Sequence, residues 1–181
     1  MMETRYSVRK ANLSDLHKIK ALYRTVAALS GGIAREADEV TWDYVRNFIE
    51  KSLGAGVILA VENPLDPEEI IAEVHTYTPG IKVFAHVFGD LTIVVHPDHQ
   101  EKGVGKLLFA TLMEEIESRH PEIVRVELIA RESNEKAIRF YKKFGFKAEG
   151  RLENRICGKT GKLEADIPMG WVRQGPGQGP G

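Results

Sequence analysis

Two glycines separated by one residue, Gly103 and Gly105, stand between a Pro-Asp turn and an apolar helical pattern in HPDHQEKGVGKLL, residues 96–108. Glycine lets an anion approach the main chain closely, and the first-turn amides of a helix lack partners within the helix. The helix dipole and the cations Lys102 and Lys106 would add attraction for phosphate. The stretch therefore indicates a phosphate or pyrophosphate site, while a tight connection remains the plainer interpretation.

Two common phosphate-binding motifs do not fit this loop. A P-loop needs a hydroxyl residue after its glycine-lysine pair, whereas Leu107 follows Gly105 and Lys106. The dinucleotide fingerprint needs a third glycine where Leu108 stands. Both departures count against an ATPase and against a dinucleotide enzyme.

A second group of chemically active residues lies in ARESNEKAIRFYKKFGF, residues 130–146. Asn134 and Tyr141 are two helical turns apart, so they share a face with Ala137. Asn134 donates and accepts hydrogen bonds, as an amide-rich ligand requires, and Lys143 supplies a cation. The phenol of Tyr141 suits a proton donor, but a core aromatic with a solvated hydroxyl fits the same position.

Hydrophobic periodicity predicts the elements that hold these residues. Strands are predicted at 6–11, 56–62, 70–77, 82–88, 90–96 and 124–130, with a bulge at Gly89, and a hairpin at 146–156 and 163–169. Helices are predicted at 14–29, from Trp42 to about Gly56, at 104–116 and at 133–144, with Ser14 as the first N-cap and Gly31-Gly32 and Gly145 as stops. This order of elements predicts an α/β (α+β) fold with a mixed sheet and helices on both faces.

Composition narrows the class of protein. The chain has 181 residues, a formal charge of −1 and one cysteine, Cys157. These values predict one domain over 1–173, no bulk attraction to nucleic acid and no intrachain disulfide. No apolar stretch approaches the roughly 20 residues that span a membrane, and MMETRYSVRK lacks a signal core, so a cytoplasmic location is expected. The last eight residues, QGPGQGPG, predict a flexible tail over 174–181.

The two motifs together resemble those of the GNAT superfamily of acyl-CoA-dependent N-acetyltransferases. QEKGVGKLL, from Gln100 to Leu108, is similar to its pyrophosphate loop, and residues 130–146 are similar to its second motif. The ending FKAEGRLENRI…GKLEADIPMGW is similar, more weakly, to a bacterial subgroup that acts on small amines, amino acids or protein N-termini. The resemblance implies a mostly antiparallel sheet of about seven strands with about four helices, splayed between the strands ending near 95 and 130.

The resemblance also implies where the co-substrate acetyl-CoA binds. The backbone of Val94 and Val95 is expected to pair with the pantetheine amides like an added strand. The remaining expected cofactor-binding residues are Gln100, Lys102, Gly103, Val104, Gly105 and Lys106 at the pyrophosphate, and Asn134, Ala137, Phe140 and Lys143 on the following helix. No metal is expected, because the thioester is already activated.

The expected reaction is direct attack of a neutral amine on the thioester in a ternary complex. Tyr141 is the expected general acid for the leaving thiolate. The base is open among Asp90, Glu73, His75 and His86, with Asp90 favoured because several relatives carry a carboxylate on that strand. His96 and His99 lack the spacing of a zinc site.

Two alternatives to catalysis stay open, and so does the acceptor. A non-catalytic acetyl-CoA sensor would keep the loop without needing a donor at Tyr141, and a nucleotide-binding protein would use the same loop. The acceptor pocket is expected between the helical pair at 14–52, the 75–89 segment and the C-terminal hairpin, with Trp42, Tyr44, Tyr77 and Glu153 as lining residues. Many relatives dimerise, so a homodimer is compatible with the resemblance.

Overall fold

The computed structural model describes residues 6–29, 33–158 and 160–175, and these residues form eight strands and four α-helices. The strands are β1 (Val8–Lys10), β2 (Gly56–Asn63), β3 (Asp66–Tyr77), β4 (Val87–Val95), β5 (Arg125–Arg131), β6 (Lys147–Ala148), β7 (Leu152–Cys157) and β8 (Leu163–Val172). The helices are α1 (Leu16–Ala28), α2 (Trp42–Ala55), α3 (Val104–Arg119) and α4 (Glu135–Lys143). The predicted tail lies mostly outside the described residues, as do Gly31 and Gly32.

All the strands belong to one sheet in the order β1-β2-β3-β4-β5-β8-β6, with β7 paired to β8. Every pairing is antiparallel except that between β4 and β5, which covers only Val87 with Arg125 and Phe88 with Val126. The mixed, mostly antiparallel sheet confirms the expected fold class. The strand count is eight because the first arm of the C-terminal hairpin is interrupted at 149–151, which separates β6 from β7.

Alternation along the strands divides the core into two layers, one on each face of the sheet. Val57, Leu59 and Val61 of β2 belong to the cluster that includes residues of α3, whereas Ile58 and Ala60 belong to the cluster that includes α1 and α2. The prediction of helices on both faces is therefore confirmed. Buried apolar surface on both faces makes the central strands a rigid base for the loops at their ends.

The start of α1 differs from the prediction. Ser14 is not its N-cap, because residues Leu13–Asp15 form a 3-10 turn and α1 begins at Leu16. The Asn12 side chain accepts hydrogen bonds from the Ser14 amide at 2.8 Å and from its hydroxyl at 2.6 Å. Asn12, an equally suitable capping residue two positions earlier, thus caps the turn that leads into α1. At α2 the prediction is confirmed, since Thr41 accepts from the Tyr44 amide.

Two strand boundaries were also predicted wrongly. The turn between β2 and β3 takes only residues 64–65, so β3 begins at Asp66 and projects beyond the part that alternation identified. Residues Lys82–Phe84 form a 3-10 turn instead of the predicted strand, and β4 begins at Val87. Val83 is 70% and Phe84 48% exposed, so the apolar residues at the start of the predicted strand are not in the core.

The bulge predicted at Gly89 is present in β4. Tyr77 pairs with Gly89 and His75 with Thr92, so two steps along β3 match three along β4. Asp90 takes up the extra residue in the left-handed region, at φ 50°. A bulge of this kind re-aims the side chain at its corner, which is the residue favoured as the base.

Candidate active site

The loop before α3 presents unpaired main-chain amides. Gly103 precedes the helix at φ 84°, in the left-handed region that glycine adopts without strain, and no side chain of the described residues caps the helix. The first helical bond runs from the Leu107 amide to the Gly103 carbonyl. The amides of Val104, Gly105 and Lys106 therefore have no helical partner. Unpaired amides at the start of a helix are an arrangement that binds anions, so this geometry is compatible with the predicted phosphate site.

The charges around this loop are divided between paired and unpaired groups. Lys102 and Lys106 are exposed and form no ion pair within the described ranges, which end at residue 175. Glu101 is bound at 2.5 Å by Lys136 of α4. Two cations therefore remain for an anion at the loop, and the nearest carboxylate is already neutralised by a partner.

The end of β4 is tied to the loop by close contacts. Gln100 donates from Nε2 to the Val95 carbonyl at 3.2 Å, and a Cβ atom on Gly105 would lie 3.4 Å from the Val95 side chain. Gln100, expected at the pyrophosphate, thus holds the loop against the strand in this structure. A glycine at 105 allows the helix to begin this close to the sheet.

Val94 and Val95 differ in where their main-chain groups point. The His96 amide donates to the Ile71 carbonyl of β3 at 2.7 Å, and main-chain groups alternate in direction along a strand. We infer that the groups of Val94, like those of His96, face β3 and that those of Val95 face the side of β5. Because β4 pairs with β5 only at Val87 and Phe88, the Val95 groups lie on an unpaired part of that edge.

Helix α4 brings the second motif beside the first. Asn134 is its N-cap, with the side-chain oxygen accepting from the Ala137 amide at 3.1 Å. Its carbonyl is therefore engaged, and its NH2 group is left for a ligand. Ala137 is half-buried and Lys143 exposed. Phe140 packs against Phe109 of α3, with the ring centroids 5.3 Å apart.

Tyr141 is a half-buried side chain with a packed ring. The ring contacts Phe109, Phe140 and Phe146 at centroid distances of 5.4, 5.5 and 6.1 Å. Burial of the ring raises the pKa of Tyr141 to about 12. The phenol therefore stays protonated, as a proton donor must.

Asp90 lies exposed at the bulge, next to two tyrosines. Burial raises the pKa of Tyr77, and the charge of Asp90 and a hydrogen bond to it raise that pKa further. Burial likewise raises the pKa of Tyr44, while the nearby Arg35 opposes the shift and the charges of Glu73 and Asp90 add to it. Asp90 thus lies near Tyr44 of α2 and Tyr77 of β3.

The other base candidates of β3 lie in a buried polar cluster formed by Tyr23, Glu73 and His75. Tyr23 donates from its hydroxyl to Glu73 Oε2 at 2.6 Å, and His75 Nδ1 lies 3.1 Å from Glu73 Oε1. Glu73 is 0% and His75 3% exposed, and the imidazole stacks on Phe48 at 4.1 Å. Since these groups satisfy one another, the cluster is self-contained. His86, the last of the base candidates, lies just before β4 and has an exposed side chain.

A cavity of about 440 Å³ lies between the end of α1, the residues before α2, the start of α4 and the β7–β8 hairpin. The helical pair and the hairpin, two of the three segments expected around the acceptor, contribute to its lining, whereas the 75–89 segment does not. None of Trp42, Tyr44, Tyr77 and Glu153 lines this cavity, so their place at the acceptor stays a prediction. Trp42 is 45% exposed and packs on His17.

Two cavity residues, Arg35 and Arg131, escaped the sequence reasoning. They are far apart in the chain, and neither belongs to a spacing pattern that predicts a shared site. The only available signal is Arg131 itself, which stands at the start of the second motif.

Residues 6–29, 33–158 and 160–175 contain neither a metal-binding cluster nor a membrane-spanning helix. No group of three or more His, Cys, Asp and Glu side chains there is arranged to hold a metal ion. No helix there is long and apolar enough to cross a membrane.

Comparison with known families identifies the class. Residues 54–148, from the end of α2 to β6, match the acetyltransferase (GNAT) domain family. The matched segment contains both the loop before α3 and the whole of α4. The chain belongs to this family, as the two motifs predicted.

Solved structures share the fold over nearly the whole chain. A GNAT-family acetyltransferase from Streptococcus pneumoniae is 22% identical, with a TM-score of 0.81 over 93% of this chain and 100% of that one. The putative acetyltransferase yncA from Salmonella typhimurium, solved with acetyl-CoA, is 18% identical, with a TM-score of 0.79 over 97% and 98%. A phosphinothricin acetyltransferase from Sinorhizobium meliloti, solved with AcCoA, is 16% identical, with a TM-score of 0.80 over 97% and 93%. No curated protein matches by sequence.

Proposed function

We propose that the protein transfers an acetyl group from acetyl-CoA to a primary amine, by direct attack within a ternary complex. The observation that carries the proposal is the uncapped start of α3, where Gly103 turns three unpaired amides and two free lysines outward. Membership of the GNAT acetyltransferase family supports the acetyl group as the cargo. The acetyl-CoA complexes of the Salmonella and Sinorhizobium proteins support the same carrier.

In this proposal the carrier lies across the ends of β4 and β5. Its diphosphate meets the amides of residues 104–106, with Lys102 and Lys106 beside it. The pantetheine arm pairs with main-chain groups of Val95 and receives a hydrogen bond from the Asn134 NH2 group. Ala137 and Phe140 line the arm, and Lys143 lies toward the phosphates.

The chemistry requires an ammonium acceptor to lose two protons and the leaving thiolate to gain one. An alkyl amine has a pKa of about 10 and is almost wholly protonated at pH 7, so a base must take one proton before attack and pass it to solvent. The nitrogen then forms a bond to the thioester carbon, a tetrahedral intermediate collapses, and the carbon–sulfur bond breaks. The thiolate, with a pKa of about 8.5, takes a proton from the hydroxyl of Tyr141, and the second proton of the nitrogen converts the phenolate back to a phenol.

Asp90 is the base in this proposal, acting directly or through water. Its carboxylate is exposed at the bulge and contacts Tyr77, whereas Glu73 and His75 are enclosed and bonded to each other. A base must exchange protons with an incoming amine, which an exposed carboxylate does more readily than a sealed cluster. Glu73 is therefore the second candidate for the base. Its charge raises the pKa of Tyr44.

Release of free thiol from acetyl-CoA, measured with amines, polyamines, amino acids and peptide N-termini, tests the proposal. The expected result is acceptor-dependent thiol release, with the acetylated amine found by mass spectrometry. Tight binding of acetyl-CoA without turnover on any acceptor would instead identify a sensor of the same fold. Calorimetric competition against ATP and NAD, with equal affinity for all three, would contradict a CoA-specific loop.

Three other expectations remain predictions: a single domain over 1–173, a cytoplasmic location and a homodimer. Size-exclusion chromatography with light scattering measures the last directly, since a dimer would have twice the mass of the chain.

A further inference from the structure

The 440 Å³ cavity contains two guanidinium groups that the proposed chemistry does not use. Arg35 reaches it from the residues before α2, and Arg131 from the end of β5. The volume lies within the range of small-molecule sites, about 300–1,000 Å³. Neither arginine belongs to the diphosphate loop, so the cavity is a separate part of the site.

Both arginines are held in place by groups other than carboxylates. The Arg35 guanidinium carbon lies 3.8 Å from the centroid of the Tyr44 ring. Arg131 donates from Nη2 to the Ile33 carbonyl at 3.3 Å. Neither arginine forms an ion pair with a carboxylate of residues 6–29, 33–158 or 160–175. Because a guanidinium has five N–H donors, each keeps several for a ligand.

A nearby arginine outside the cavity lining differs from this pair because a carboxylate binds it. Arg155, on neighbouring β7, is bonded at 3.1 Å to Asp166, which is only 4% exposed. Glu164 lines the cavity and accepts a hydrogen bond from Ser133 at 2.6 Å. Glu36 is a second lining carboxylate, and its side chain is exposed. The cavity thus presents two cations and two anions, which matches a ligand that carries both signs.

The cavity adjoins residues assigned to the reaction. Asn134, the proposed contact of the pantetheine arm, is one of its lining residues. Arg35, which also lines it, rests on Tyr44, a side chain whose pKa the charges of Asp90 and Glu73 affect. An amine bound there would lie beside the proposed pantetheine arm.

We infer that the acceptor is an amine bearing its own carboxylate, an amino acid or a similar zwitterion, with the carboxylate bound by Arg35 and Arg131. This inference rests on the proposed function, because it names the acceptor of that reaction. Arginine binds a carboxylate through two parallel N–H···O bonds, which fixes orientation as well as charge. An amine without an anion would leave both guanidinium groups unpaired in the cavity.

Matched acceptor pairs test the inference. Thiol release is measured for each of the twenty amino acids and for its carboxamide, which has the same side chain and a neutral group in place of the carboxylate. The carboxamide has the lower amine pKa and more neutral amine at pH 7, so this bias runs against the acid. For the best acceptor we expect kcat/KM to favour the acid by at least about tenfold, the effect of one lost charged hydrogen bond.

Variants then assign the preference to the two arginines. Arg35→Gln and Arg131→Gln should each lower kcat/KM for the acid about 10- to 100-fold, and bring the acid-to-carboxamide ratio toward one. Arg35→Lys, which keeps charge but loses the paired geometry, should fall between. Arg139→Gln is the matched control, since Arg139 is exposed on α4 and pairs with Glu135. CoA affinity and thermal unfolding show that each variant is folded.

Calorimetry of amino acids in the presence of CoA separates this inference from the proposed function. If no acceptor is turned over, the proposed function fails, while binding of an amino acid that Arg35→Gln abolishes still supports the carboxylate site. Equal kcat/KM for acids and carboxamides overturns the inference even if acetylation proceeds. So does a protein that neither turns over nor binds any of the twenty amino acids.

Discussion

The loop proposed to bind the diphosphate and the cavity proposed to bind the acceptor are built in different ways. The loop uses main-chain amides of consecutive residues, set by the left-handed φ of Gly103. The cavity uses side chains from four separate segments, with Arg35 and Arg131 held by Tyr44 and by a carbonyl. A main-chain site depends on backbone shape, whereas a side-chain site depends on chemistry that substitution can change without disturbing the fold. The two halves should therefore fail in different ways.

The largest expected effect is on the loop. Gly103→Glu should weaken CoA binding by at least about 1,000-fold, because it places bulk and negative charge among the amides proposed to bind the diphosphate. Calorimetry with CoA measures this directly. Gly80→Glu is a matched control, since Gly80 has φ 75° and an equally open Cβ position, so backbone strain is similar. Unchanged CoA affinity in folded Gly103→Glu would refute the loop assignment.

Asp90→Asn tests the chemical step and not CoA binding. Turnover should fall about 100- to 10,000-fold, the usual contribution of a general base, while CoA affinity stays near that of the parent. Asparagine also tolerates the left-handed region, so the bulge at φ 50° is kept, which alanine would not ensure. A variant with unchanged kcat/KM would move the base to Glu73 or His75.

Tyr141→Phe should lower kcat about 10- to 100-fold and leave CoA affinity unchanged, because the ring packing survives and only the proton donor is lost. Burial raises the pKa of this phenol to about 12, so it is protonated below that pH. The parent kcat should accordingly show no loss from Tyr141 ionisation up to pH 10. A variant that binds CoA poorly but turns over normally once bound would show that Tyr141 is structural.

Tyr23→Phe should have the smallest effect on activity and act mainly on stability. It removes the 2.6 Å hydrogen bond to Glu73 and leaves that buried carboxyl group short of a donor. The free energy of unfolding should fall by about 1–3 kcal/mol, as chemical denaturation would measure. A loss of turnover as large as that of Asp90→Asn, without loss of stability, would place the buried cluster in the chemistry.

The accuracy of the sequence predictions depended on whether the interactions involved are local or join distant parts of the chain. The start of α2 at Trp42 and the stop at Gly145, whose φ is 87°, depend on neighbouring residues and were predicted correctly. The 82–88 segment was wrong because alternation reports apolar side chains, and only the folded chain decides that Val83 stays exposed. Ser14 lost its capping role to Asn12, a choice between two suitable residues that composition leaves open.

The sequence by itself determined the local features on which the proposed CoA site depends: the glycines before α3, the lysines beside them and the asparagine and tyrosine two turns apart on α4. Such features are local, since a dihedral angle or a helical face is set by residues within a few positions. Only the tertiary structure decided that β4 is unpaired with β5 at Val95, that Tyr23 bonds to the buried Glu73, and that Arg35 and Arg131 line one cavity. These arrangements join segments far apart in the chain, which spacing along the sequence does not reveal.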